Sequence, residues 1–201
     1  IKSFSEIEKI EKVGEKAGDF NIQNKIIATI NNIENIDIGK IKKNFITNSS
    51  CGVCGKTSLD SVEVIMKNKL DLSYPKINKK IILKSPELLI SEQSEFSKTG
   101  GIHASSLIDK DGKVVATRED VGRHNALDKL MGYSHSKNLI DNHSQFIACS
   151  GRLNFELVQK GLMSSIGLMA GVGAPTSLAI DLAKRFNMTL LGFVKKNSFN
   201  I

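Results

Sequence analysis

The chain has 201 residues and a formal net charge of +7, from 28 Lys and Arg against 21 Asp and Glu. That length suffices for one α/β domain with a sizeable core. No run of 18 apolar residues occurs, which argues against a membrane-spanning helix in this sequence, and no secretory leader is recognisable at its start. Three cysteines are an odd number and make no disulfide framework. They point to a reducing compartment, the cytoplasm. The basic residues form no tract with interleaved aromatics, so a nucleic-acid groove is disfavoured. The positive excess reads either as a lysine-rich surface or as attraction for an anionic ligand or acidic partner. The start at Ile1 rather than Met marks the sequence as an expected fragment of a longer chain.

Residues 1–30 read as a helix or two, because Ile7, Ile10, Val13 and Ala17 fall on one helical face and Gly18 makes a stop. Residues 31–42 are polar, with isolated isoleucines. Phe45-Ile46-Thr47 is a short strand leading into a cysteine loop, and Ser58 opens a helix to Met66. Residues 67–84 are lysine-rich and broken by Pro75. Ser85-Pro86-Glu87 predicts a helix start, with Ser85 as N-cap, running to Lys98. Ala104–Ile108 and Lys113–Thr117 form a hairpin about Asp109-Lys110-Asp111-Gly112. Then follow a helix over Val121–Met131, a buried strand over Phe146–Cys149, a helix capped by Asn154 and a strand over Leu168–Val172. A helix beginning at Ala174-Pro175-Thr176 and a final strand over Met188–Lys195 end the chain. Met163, Met169 and Met188 read as core filler. The alternation predicts an α/β three-layer sandwich with a mixed sheet, plus a small N-terminal helical segment.

The chemistry-bearing motifs fall at strand ends and helix N-termini, where backbone amides are free. Cys51-Gly-Val-Cys54 is the first. Lys56 and the following helix start favour a thiolate there, and the glycines leave the sulfurs uncrowded. Three chemistries fit: persulfide carriage, thiol-disulfide exchange and zinc binding. A zinc-stabilised module needs four ligands, and no second Cys-x-x-Cys occurs. An oxidoreductase usually has aromatic or proline neighbours beside its cysteines, which are missing here. Gly101 and His103 sit in a Gly-Gly-Ile-His turn, with the histidine as proton carrier or anion contact. The stretch 118–125 packs acid, base and amide groups about one glycine. Arg123 there suits a phosphate and His124 a proton. Ser150-Gly151-Arg152 offers hydroxyl, bare backbone and guanidinium to an anion. Gly171–Ser177, with Thr176, offers amides and a helix terminus to a phosphate, although it is no Walker loop. Phe193, with Lys195 and Lys196, combines a stacking ring with charge for a pyrophosphate.

Together these motifs resemble one family, the formate dehydrogenase accessory sulfurtransferases (FdhD). The matching stretches are SSCGVCGKTS (49–58), TGGIHASSL (99–107), EDVGRHNALDKLMG (119–132), SGRLNFELVQKGL (150–162) and APTSLAIDLAKRFNMTLLGF (174–193). The resemblance covers residues 43–201. It implies a cytidine deaminase-like fold, a sulfurtransferase domain over 43–201, and a remnant of a longer N-terminal region over 1–42. It implies that Cys51 takes sulfur from a cysteine desulfurase as a persulfide, with Cys54 as its neighbour. The sulfur then passes to a molybdenum or tungsten bis(molybdopterin guanine dinucleotide), a bound substrate destined for formate dehydrogenase. No permanent metal is expected, and a homodimer is. The C-terminal segment Phe193, Val194, Lys195, Lys196, Asn197 and Ser198 maps onto the cofactor contact. Three departures stand out. Lysines replace a glycine- and arginine-rich ending, which keeps charge but loses the bidentate fork. Asn154 replaces a common serine, and residues 164–173 differ from the usual wording.

Overall fold

The computed structural model describes residues 6–17, 22–31 and 69–201. Cys51, Cys54, the predicted strand at 45–47 and the predicted helix at 58–66 lie outside the described residues. Two compact units divide the chain, Ile1–Thr47 and Asn48–Ile201.

In the first unit, β1 (Ile7–Ala17) and β2 (Ile22–Ile30) pair antiparallel, with Ile10 opposite Ala28 and Lys12 opposite Ile26. This corrects the predicted N-terminal helical segment. The spacing of Ile7, Ile10 and Val13 suits a helix, but β2 is rich in β-branched Ile26, Ile27, Thr29 and Ile30, which fit a pleated surface. Gly14 also has φ +93° and lies at a register shift between Val13 and Lys16. A helix admits no such residue, whereas a β-bulge is built around one.

The second unit is the predicted sandwich. Its elements run α1 (Lys79–Ser91), α2 (Ser94–Thr99), β3 (His103–Asp109), β4 (Val114–Asp120), α3 (Arg123–Ser136), β5 (Gln145–Cys149), α4 (Phe155–Met163), β6 (Leu168–Gly171), α5 (Ser177–Arg185) and β7 (Thr189–Leu191). The sheet order is β4-β3-β5-β6-β7. β3 pairs antiparallel with β4 and β5, while β5, β6 and β7 are parallel. Alternate strand residues serve the two faces. Leu107, Ile147, Met169 and Leu190 pack with Leu130 of α3, Leu157 of α4 and Leu182 of α5. Ile108, Phe146, Ala148, Leu168 and Leu191 pack with Ile82 and Leu89 of α1. Two apolar cores thus hold helices against both faces. Met169 and Met188 are core residues as predicted; Met163, at 47 % exposure, is not.

Two boundaries differ from expectation. Helix α1 is capped by Asn78, whose side chain accepts from the Lys80 amide, and carries Pro86 in its interior. Pro86 has no N–H for the Ile82 carbonyl one turn back. The Ser85 hydroxyl donates to that carbonyl instead, at 2.7 Å. The Ser-Pro pair predicted as a helix start is a repaired break inside a helix. The final strand ends at Leu191, because Phe193 takes φ +54° and turns the chain. Gly192 bridges back to Asn200, and the Lys195 amide donates to the Ser198 carbonyl.

Candidate functional site

One sheet edge collects the start of β3, the end of β4 and the C-terminal ends of β5, β6 and β7. Helices α3, α4 and α5 begin at that edge, so their positive dipole ends face it. Asn154 caps α4 through the Leu157 amide, and Thr176 caps α5 through the Ala179 amide. Gly122, at the cap of α3, has no side chain to offer.

The centre of the edge is built from three loops. Ser150, just beyond β5, accepts the Ala104 amide at 3.0 Å and lies 3.2 Å from His103 Nδ1. A Cβ placed on Gly151 would meet His103 Cε1 at 3.1 Å and Arg123 Cδ at 3.4 Å. His103, Gly151 and Arg123 therefore converge. Burial lowers the His103 pKa, and the charge of Arg123 lowers it further, so the ring is neutral at neutral pH. The next loop is drawn close by backbone contacts. The Gly173 amide donates to the Gly151 carbonyl, and a Cβ on Gly173 would strike Arg152 N at 2.7 Å. The Phe193 amide in turn donates to the Gly173 carbonyl.

Beside this centre, His124 Nε2 lies 2.8 Å from Asn154 Nδ2 and 3.5 Å from a Glu156 oxygen. Lys160 holds Glu156 and Asp128. Asp120 accepts from Gly122 N and Asn125 Nδ2 and pairs with Lys129. The Lys129 hydrogen bond, the Gly122 amide and the Asn125 amide keep its carboxyl below the ordinary range despite burial. Glu119 accepts the Glu95 and Phe96 amides at the start of α2. A cleft of about 440 Å³ opens between α1, α2 and the β3 start. Its walls include Pro86, Leu89, Ile90, Phe96, Ile102 and Val172; Gln93, Gly101, His103 and Ser150 supply its polar groups. Among the described residues, no group of three His, Cys, Asp or Glu could hold a metal ion.

A sequence model of the FdhD/NarQ family matches residues 1–201. The chain belongs to the FdhD/NarQ family. It is 40% identical over 196 residues to the sulfur carrier protein FdhD of Picrophilus torridus, covering 98% of this chain and 72% of that protein. It is 40% identical over 159 residues to the sulfur carrier protein FdhD of Nocardia farcinica, covering 79% and 57%. A crystal structure described as a formate dehydrogenase accessory protein, from Desulfotalea psychrophila, matches with a TM-score of 0.59 and 26% identity. That match covers 66% of this chain and 57% of the other. The chain thus spans 57–72% of the length of these relatives.

Of the residues singled out in this FdhD/NarQ chain, Gly101, His103, Arg123, His124, Ser150, Gly151 and Arg152 share the sheet edge. Thr176 is there too, with its hydroxyl engaged as a cap. Phe193 borders a second hollow with Pro175, Ile180, Lys184 and Leu190. Val194 is 1 % exposed, so its side chain is core and only its backbone borders the loop. Lys195, Lys196, Asn197 and Ser198 form an exposed turn. Sequence reasoning missed the apolar wall from α1 and α2, because Pro86 was placed at a helix end. It also missed Asn154 as the partner of His124, 30 positions away. The cap signal found that asparagine but not its second contact.

Proposed function

We propose that the chain is a sulfur carrier that takes sulfur as a Cys51 persulfide and delivers it to an anionic, dinucleotide-bearing metal cofactor. The observation that carries this reading is the Cys51–Cys54 motif in a member of a family whose relatives are named sulfur carrier proteins. In the loading step, the Cys51 thiolate attacks the outer sulfur of a cysteine desulfurase persulfide. A Cys51–S–SH bond forms, the donor S–S bond breaks, and the donor leaves as thiolate. In delivery, the deprotonated persulfide gives its outer sulfur to the metal of the substrate, bis(molybdopterin guanine dinucleotide). The S–S bond breaks, Cys51 returns to thiolate, and two electrons from the metal reduce the arriving sulfur to sulfide. Molybdenum and tungsten both fit this bookkeeping. The sulfurated cofactor is destined for formate dehydrogenase.

The sheet edge supports the anionic half of this reading. Arg123 and Arg152 stand beside helix N-termini, a setting that binds phosphate. Lys195 and Lys196 add exposed charge on the neighbouring turn. We place the protein in the cytoplasm, as a homodimer. No helix among the described residues is long and apolar enough to cross a membrane. Incubation with a cysteine desulfurase and cysteine, read by intact mass, tests the assignment. The parent gains one sulfur and Cys51→Ala gains none. A Cys51→Ala protein that still carries a reducible sulfur removes Cys51 as the carrier.

A further inference from the structure

Among the described residues, β1 and β2 form a sheet of two strands, so each has one edge without a partner strand. A sheet of only two strands is marginal in water and gains from further pairing. Its apolar surface is also open, with Ile10 54 % exposed and Ile26 68 %. These two lie on one face, because Ile26 stands opposite Lys12, two residues along the strand from Ile10. The edge of β1 carries an ordered run of charges; β2 has Lys25 as its one charged residue. Glu8, Lys9, Ile10, Glu11 and Lys12 read with opposite signs in the two directions from Ile10. An antiparallel copy of β1 centred on Ile10 therefore sets Lys9 opposite Glu11, Glu8 opposite Lys12 and Ile10 opposite itself. Lys9 and Glu11 already pair at 2.7 Å along the strand. A two-fold axis at Ile10 turns that pair into a ring of four charges, each with an unlike neighbour along and across the strands. Neighbouring registers lose this match. Centring on any of the four charges sets that charge against its own copy. Centring on Ile7 sets Glu8 against Glu6, and centring on Val13 sets Glu11 against Glu15. Like charges directly opposite destabilise a ladder.

We propose that the outer edge of β1 pairs antiparallel, about Ile10, with the same strand of a second copy of this chain. The product is a four-stranded sheet in the order β2-β1-β1-β2, and Ile10 and Ile26 of both copies share one apolar face. The second copy is that of the homodimer placed above, so this pairing rests on that reading. The Lys9 and Glu11 side chains are 61 % and 42 % exposed, so substitutions there disturb no core.

Sedimentation equilibrium on the whole chain tests this pairing. The parent is a dimer. Lys9→Glu and Glu11→Lys each set like charges opposite one another twice, and each raises the dimer dissociation constant about tenfold or more. An equal mixture of the two variants restores the dimer, because one chain then carries only acids at positions 9 and 11 and the other only bases. Mixing cannot restore the Lys9–Glu11 pair inside either chain, so recovery reports the contact between copies. A dissociation constant unchanged in both single variants overturns the proposal and leaves the homodimer standing. A mixture that stays as dissociated as its components does the same. A monomeric parent overturns the proposal and the homodimer together, while sulfur loading of Cys51, read by mass, stands or falls separately.

Discussion

Asn154 does two jobs at once. Its Oδ1 accepts the Leu157 amide as a helix cap, which fixes which way its amide faces. His124 Nε2 lies 2.8 Å from Nδ2 and 3.1 Å from Oδ1. With Oδ1 already taken by the Leu157 amide, the shorter contact has a neutral His124 ring accept from Nδ2 and carry its proton on Nδ1. Glu156 of α4 lies 3.5 Å from that ring, and Lys160 holds Glu156 together with Asp128 of α3. Aspartate at 154 still caps the helix but brings no N–H. Asn154→Asp therefore moves the neutral ring's proton to Nε2. Nitrogen-15 imidazole spectra at about pH 8, where a histidine ring is neutral, read this directly, with His124→Gln assigning the signal. A parent ring already protonated at Nε2, or a tautomer unchanged in Asn154→Asp, contradicts the account. That His103, Arg123, Ser150, Gly151 and Arg152 would gather at one end of the sheet was legible because each stands at a strand end or a helix start. The His124–Asn154 pairing was not legible, because it depends on α3 and α4 lying side by side.

At the scale of elements, the hairpin of β3 and β4, helices α4 and α5 and the buried strands were all legible from turn residues, caps and apolar runs. Helix α1 was misread because Pro86 looks like a first-turn residue and its compensation is a side-chain bond. Ser85 is 2 % exposed, so Ser85→Ala leaves the Ile82 carbonyl buried without its donor. That costs about 1–3 kcal/mol, measurable by urea unfolding; a loss near zero would mean that water or a shift replaces the hydroxyl. The hairpin of β1 and β2 was misread because a period of three satisfies a helical face, whereas the bulge at Gly14 that breaks strand alternation leaves no such pattern. Helix α2, a wall of the cleft, is held by Glu119. Burial alone would push that carboxyl up, but the Glu95 and Phe96 amides, with Gln93 and Ser94, hold it below its usual value of 4.5. A depressed carboxylate stabilises fully above its unfolded pKa and loses that contribution as pH falls through the folded value. The stability gap between parent and Glu119→Gln is accordingly widest at neutral pH and closes in acid. A gap that does not change with pH would assign the loss to shape rather than charge.

On the scale of the whole molecule, the sheet brings three helix N-termini to one edge, α4 and α5 from its parallel half and α3 from the end of β4, and an anionic ligand is what that arrangement suits. The sulfur half of the account rests on Cys51 and Cys54. The third thiol does not compete: burial pushes Cys149 up to about 11, only partly opposed by its hydrogen bond to Ser105. It stays a thiol in the folded protein and serves as an internal control. The most direct test is intact-mass measurement after incubation with a cysteine desulfurase and cysteine, on the parent and on Cys51→Ala, Cys54→Ala and Cys149→Ala. The account predicts one added sulfur, removable by reductant, on the parent, on Cys54→Ala and on Cys149→Ala, and none on Cys51→Ala. A Cys51–Cys54 disulfide in place of the added sulfur, or a sulfur retained by Cys51→Ala, would contradict it.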